Sequence, residues 1–242
     1  MRPVIDRTQW QKNLSAEAAS WERWLDVALA KTDQRITDDF EWRTGKACDV
    51  RDKDMFAPYL RPVCPPGSEA RILDVGAGPL TWSPRKWPTR DFKVTAIDPL
   101  ASEFDRMLAA RNITPPVRTQ PGEAETLLEQ FAPDSFHLVL CRNSLEQFYD
   151  PMGALKQMLA VVQTGAWVIL LQEDPRDEEQ KARGPWTLSE SDADLYLHVG
   201  GDRVDLGMEL ADVATVRAFR SWHWPWVLGA LKKETLAPQS EG

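Results

Sequence analysis

No stretch of this 242-residue chain has the length and apolarity of a membrane span. Its most apolar run, residues 166–171, falls far short of the roughly 20 residues a spanning helix needs. The first seven residues, Met1 to Arg7, show no apolar core of a secretory signal. Cysteine and histidine are scarce, at 3 each. Cys48, Cys64 and Cys141 form no CxxC pair, and His137, His198 and His223 have no metal-ligand spacing. A cytoplasmic protein with reduced thiols and no metal is therefore expected. Basic residues are also in the minority, 29 Lys and Arg against 37 Asp and Glu, for a net charge of −8. Displacing counterions from a phosphate backbone requires clustered cations, and no such cluster occurs. Neither nucleic acid nor membrane is expected as a partner, and nothing indicates an oligomeric state. Internal repeats and low-complexity tracts are absent too.

What is present suffices for a sizeable core, since 43% of the residues are hydrophobic. Near the start, Leu14, Ala18, Trp21, Leu25 and Ala28 recur at spacings of three and four, one apolar stripe of a helical first forty residues. Residues 38–54 read as polar and irregular, and the prolines and glycine of 59–67 read as a connector. Residues 1–68 are taken as an N-terminal helical cap, 69–235 as the main domain, and 236–242 as a frayed tail.

From Ala70 short apolar runs alternate with helical stretches. Strands are expected at 71–75, 93–98, 115–120, 136–141 and 166–171, with helices at 100–111, 124–131 and 151–161 between them. That rhythm predicts an α/β fold, a doubly wound, mostly parallel sheet covered on both faces. Residues 174–184 are charged and read as solvated. A hairpin is expected near 194–207, around Gly200, Gly201 and Asp202, and two more strands at 213–219 and 226–231. Trp222, Trp224 and Trp226 alternate, and would share one face of an extended chain.

The chemistry concentrates in Asp74-Val75-Gly76-Ala77-Gly78, where a strand runs into residues with little or no side chain. Such a turn lets a ligand approach the backbone closely. Twenty residues after Gly78, Asp98 closes the next strand, where a carboxylate can accept both hydroxyls of a ribose. A dinucleotide fingerprint would place a third glycine where Thr81 stands, and no phosphate-binding Gly-x-x-x-x-Gly-Lys run exists. An adenosine-containing cofactor without that pyrophosphate turn is indicated.

These residues resemble the class I S-adenosylmethionine-dependent methyltransferases over roughly residues 71–171, with a looser match to the end. The family's Asp-x-Gly-x-Gly is matched by Asp74, Gly76, Ala77 and Gly78, and its second-strand acid by Asp98, followed by Pro99 and Leu100. Gly122-Glu123-Ala124-Glu125 resembles the segment whose acid binds the adenine amino group, which implies that role for Glu123 beside Ala124. The exit of the fourth strand, Cys141-Arg142-Asn143, matches a further landmark, which implies that these three residues bind the cofactor, and Gln163-Thr164-Gly165-Ala166 is a degraded Leu-x-Pro-Gly-Gly. Gly78-Pro79-Leu80-Thr81 looks like a subgroup variant whose members carry an added hairpin late in the chain. The resemblance implies a Rossmann-like fold, S-adenosyl-L-methionine as cofactor, and methyl transfer.

The acceptor's proton must leave during such a transfer. His198, in the expected hairpin, and Glu146, after the fourth strand, are the candidates for catalysis, with Glu173 behind them; Asn143 could bind cofactor or acceptor. Arg43 could pair with the cofactor's carboxylate. Trp21, Trp24, Trp42 and Trp82 could wall the cofactor, because aromatic faces suit a sulfonium. His137, inside an apolar run, reads as structural. The expectation is a methyltransferase acting on a small molecule, a saccharide or other hydroxylated metabolite. The alternatives are a catalytically silent fold serving as a cofactor-binding or assembly partner, and a nucleotide-dependent oxidoreductase, which Thr81 disfavours.

Overall fold

Parallel strands buried on both faces should read as unbroken apolar runs, and residues 138–141 and 166–171 do. The computed structural model describes residues 5–45, 56–87, 89–173, 186–199, 202–220 and 226–235. Strand β1 (Glu69–Val75) pairs in parallel with β2 (Asp91–Asp98) and with β4 (Phe136–Arg142). β3 (Thr119–Pro121) flanks β2, and β5 (Val162–Glu173) flanks β4. β9 (Ala214–Arg220) and β10 (Trp226–Lys233) then extend the sheet antiparallel beyond β5. The full order is β3-β2-β1-β4-β5-β10-β9. The order reverses at β1, so its carboxyl end, between β2 and β4, is the crevice where such sheets bind ligands.

The helices sit where their apolar faces are needed. α1 (Arg7–Ala30) starts at Asp6, whose carboxylate accepts the N–H groups of Thr8 and Gln9 at 2.8 and 3.2 Å. It ends at Lys31 in the left-handed conformation, φ 53°. Its stripe is buried at Leu25 and Ala28, and Leu25 packs with Leu80 and Leu108. α4 (Ala101–Ala110) and α5 (Pro151–Val161) cover the sheet. On α5, Leu155 and Met158 are fully buried, so truncating either to alanine should cost about 2–5 kcal/mol. α3 (Ala57–Leu60) packs Leu60 on the opposite sheet face with Ile72, Leu138 and Ile169.

Three expectations change. The segment expected to be irregular from residue 38 is helical to Thr44, because α2 spans Gln34–Thr44; the rest, 46–54, lies outside the described residues. α2 has a narrow apolar contact, Phe40 against Trp24 and the Leu25 cluster. It is held also by the Asp33 cap on the Ile36 N–H at 3.2 Å and by the buried side chains of Thr37 and Arg43. The third strand is three residues long, and the stretch after it is a 3₁₀ helix, Ala124–Glu129. The late hairpin forms the last two strands of a three-stranded sheet, β6 (Trp186–Ser191), β7 (Asp194–Val199) and β8 (Asp202–Asp205). β6 alternates too weakly to announce itself. Leu188, Leu195 and Leu197 turn this sheet's inner face into the main core, with Leu206 and Val227. The solvated reading of 174–184, the fate of Cys48, and Trp222 and Trp224 fall outside the described residues; Cys64 and Cys141 are buried free thiols.

Candidate active site

β1 hands the chain to a turn with two left-handed residues, Gly76 and Gly78, each at φ 67°. A Cβ at Gly76 would lie 2.4 Å from that of Ser144, and one at Gly78 would lie 2.6 Å from the Trp21 ring. Both positions therefore require glycine. The amides of Gly76 and Ala77 donate to the Ile97 carbonyl at 3.0 and 3.1 Å, which hangs the turn on β2. The amide of Gly78 donates to Asp98 Oδ2 at 3.1 Å, and Leu100 N donates to Oδ1 at 2.9 Å. Leu100 caps α4, with Pro99 half-buried before it. Asp98 is 8% exposed, and burial pushes its carboxyl up to about 7 against those two hydrogen bonds.

Asp74 lies buried beneath the turn and accepts a hydrogen bond from Thr81 Oγ1, which itself accepts the Ser83 amide at 3.0 Å. Thr81, read from the sequence only as a missing glycine, is the clasp that closes the loop. Burial raises the Asp74 pKa, opposed first by Thr81 and then by the positive charge of Arg43.

At the far end of the crevice, Glu123 meets Arg7 from α1. One guanidinium nitrogen contacts both its oxygens, at 2.8 and 2.9 Å, and the Tyr149 hydroxyl donates to Oε2 at 3.3 Å. Arg7 also lies over the Tyr149 ring, 4.7 Å from its centroid. Ala124 is buried behind them. Glu125 accepts the amides of Tyr149 and Asp150 at 2.9 and 3.2 Å, and burial pushes it up to about 7. Sequence reasoning missed Arg7 and Glu125, and nothing local in the sequence marks Arg7, which reaches Glu123 across 116 positions.

Around the end of β4, Cys141 Sγ sits 3.2 Å from Ser144 Oγ, and burial pushes its thiol up to about 12, so it is no nucleophile. Asn143, at φ 48°, donates its amide to the Leu171 carbonyl at 2.8 Å and accepts the Glu173 amide on Oδ1 at 2.8 Å. It thereby locks β4 to β5. Glu146 is half-buried in the 3₁₀ turn Leu145–Gln147, near enough to Cys141 to raise that thiol's pKa.

Arg43 is 6% exposed; its Nε binds Asp39 at 2.8 Å, its Nη1 donates to the Leu80 carbonyl at 2.5 Å, and its head lies 5.5 Å from both the Trp21 and Trp24 rings. The structure thus ties Arg43 to α2 and the loop. Arg142 shares Asp39, at 3.5 Å. The tryptophans form two separate pairs, Trp21 with Trp24 and Trp42 with Trp82. His198 lies on the outward face of the small sheet; its Nε2 is 2.6 Å from Ser189 Oγ, and burial, then Arg203, lowers its pKa. Its described partners belong to that sheet and not to the strand ends. His137 Nδ1 accepts the Arg71 amide at 3.0 Å, a cross-strand tie.

An ionised carboxylate offers about four lone-pair sites, and Asp98 uses two of them on backbone amides. Two remain for ribose hydroxyls, beside a turn bare of side chains. The residues present therefore fit an adenosine cofactor, with Asp98 and Glu123 as the carboxylates that would hold it. A mostly parallel sheet with this turn and this aspartate defines a Rossmann-like fold of the methyltransferase type. The chain belongs to the methyltransferase-domain family, whose model matches residues 40–204, more than half of its length.

Among solved structures, a protein from Pyrococcus horikoshii is 15% identical, with a TM-score of 0.45 over 74% of this chain and 88% of that one. A SAM-dependent methyltransferase from Aquifex aeolicus is 14% identical, with a TM-score of 0.42 over 67% and 81%. An rRNA methylase from Streptococcus thermophilus is 14% identical, with a TM-score of 0.41 over 77% and 98%. No curated protein matches the sequence. Among the described residues no helix is long and apolar enough to cross a membrane.

Proposed function

We propose that this protein transfers a methyl group from S-adenosylmethionine to a small hydroxylated molecule, a saccharide or another hydroxylated metabolite. The observation that carries the cofactor half is the 3.1 Å hydrogen bond from the Gly78 amide to Asp98, which sets the bare turn and the ribose carboxylate in one frame. The net charge of −8 supports a small acceptor over a polyanion. When bound, the cofactor supplies a methyl group on a sulfonium. The chain's task is alignment, which can contribute several kcal/mol. Gly76 and Gly78 admit the cofactor to the backbone, Asp98 takes the ribose, and Glu123 takes the adenine amino group. Asn143 fixes the ends of β4 and β5 on which the acceptor rests. Glu146, at the exit of β4, is the group we assign to the acceptor's proton, in preference to His198 on the outer sheet face.

The test is transfer of a tritiated methyl group to a panel of saccharides and hydroxylated small molecules, with total RNA as the competing acceptor. Label in a small molecule, reduced by Glu146→Gln, is the expected result. Label in RNA alone would overturn the small-molecule reading, and cofactor binding without transfer to any acceptor would favour a silent, assembly-partner role.

A further inference from the structure

Two arginines reach the strand ends, and their surroundings differ. Arg43 is engaged by Asp39 Oδ2 and the Leu80 carbonyl. The side chain of Arg142, the last residue of β4, makes no hydrogen bond among the described residues. Its charged neighbour is Asp39 Oδ1 at 3.5 Å, and the rings of Trp82 and Trp226 flank its head at 4.8 and 4.9 Å. Its side chain is only 19% exposed. One carboxylate thus serves two guanidinium groups, and its better-placed oxygen belongs to Arg43. Glu173, the next acid along, pairs with Arg35 at 3.7 Å. A largely buried cation is costly unless it is paired and hydrogen-bonded. Burial and then Arg43 push its pKa down to about 10, against the opposing charges of Asp39, Asp74 and Glu173. Among the described residues none of those carboxylates accepts a hydrogen bond from Arg142, so its N–H donors stay open.

Its position decides what it serves. Asp98 and Glu123 lie on the β2–β3 side of the glycine turn. Arg142 ends β4, while Trp226 opens β10 opposite Glu173 at the end of β5. The guanidinium therefore stands on the β4–β5–β10 side, away from the ribose and adenine carboxylates. It presents five N–H donors in a planar fork that matches a carboxylate.

We propose that Arg142, flanked by Trp82 and Trp226, binds a carboxylate on the methyl acceptor, so that the preferred substrates are hydroxy acids. This rests on the small-molecule reading above and narrows it. A charge-assisted, two-point contact of this kind gives at least about tenfold in affinity.

The test uses full-length protein loaded with S-adenosylhomocysteine, titrated calorimetrically with glucuronate against glucose and with salicylate against salicylamide. The acid of at least one pair is expected to bind about tenfold tighter than its neutral counterpart. Arg142→Gln should abolish that preference, and Arg142→Lys, which keeps the charge without the fork, should restore part of it. Thermal melts establish that each variant folds, and the lysine variant carries the test if the glutamine one does not. Equal binding of acids and neutrals by the wild type, or a preference that survives in Arg142→Gln, would overturn the proposal. So would a variant that loses S-adenosylhomocysteine but keeps methylthioadenosine, because the carboxylate served would then be the cofactor's own. Failure of the wild type to load at all would count against the cofactor reading, and is seen before any acid is added.

Discussion

The hydroxyl of Thr81 donates to the buried carboxylate of Asp74 and in turn receives the amide of Ser83, so one side chain ties the floor of the crevice to the loop above it. Thr81→Val keeps the shape and removes the donor. Leaving a buried carboxylate short of a partner should cost about 1–3 kcal/mol, read as a lower urea midpoint at unchanged slope. A loss under about 0.5 kcal/mol would mean that Asp74 does not depend on Thr81.

Trp21 rests directly on Gly78, which makes the cap helix part of the glycine turn. Gly78→Ala meets two obstacles, a positive φ and the ring. Together these should cost about 2–4 kcal/mol. Trp21→Leu in the same chain should recover the part due to the ring and leave the part due to the backbone. Strictly additive losses in this double-mutant cycle would contradict the packing described.

Asp98 and Glu125, both pushed up to about 7 by burial, give stability a definite pH dependence. In the unfolded chain these carboxyls lose their protons near pH 4, roughly three units lower. Between those values the folded protein holds protons that the unfolded chain has released, so stability falls as pH rises toward about 7 and then levels off. His137 and His198, with lowered pKa values, act in the opposite sense, and a difference measurement removes them. The melting temperature of ligand-free Asp98→Asn relative to wild type should therefore rise from about pH 5 to about pH 8. A flat difference would show that Asp98 is ionised throughout. Ribose hydroxyls donate to the charged form, so affinity for S-adenosylhomocysteine should increase over the upper part of the same range.

How much of this was legible in the sequence depends on what each element rests on. β1, β4 and β5 are largely buried runs, and α5 carries a broad apolar face, so their residues state their positions. α2 rests on a cap, two buried polar side chains and one packed aromatic, Phe40, too little for hydrophobic periodicity to register. β6 places one leucine inward among polar neighbours, and it acquires a sheet only by pairing with β7. In the site, the glycines and Asp98 were legible because their chemistry is local to the turn. Arg7 on Glu123, Trp21 on Gly78 and Asp39 shared by two arginines depend on the folded path of α1 and α2. Arg43 and Arg142 look equivalent in sequence, and only their partners distinguish the engaged guanidinium from the available one.

The central claim is that the Gly76–Gly78 turn and Asp98 hold S-adenosylmethionine, and calorimetric titration tests it most directly. S-adenosylmethionine and S-adenosylhomocysteine are titrated into wild-type protein and into Asp98→Ala, with melts confirming that both are folded. Single-site binding to the wild type that disappears in the variant is the predicted result. Folded wild-type protein that binds neither compound, or a variant that binds them as well as the wild type does, would contradict it.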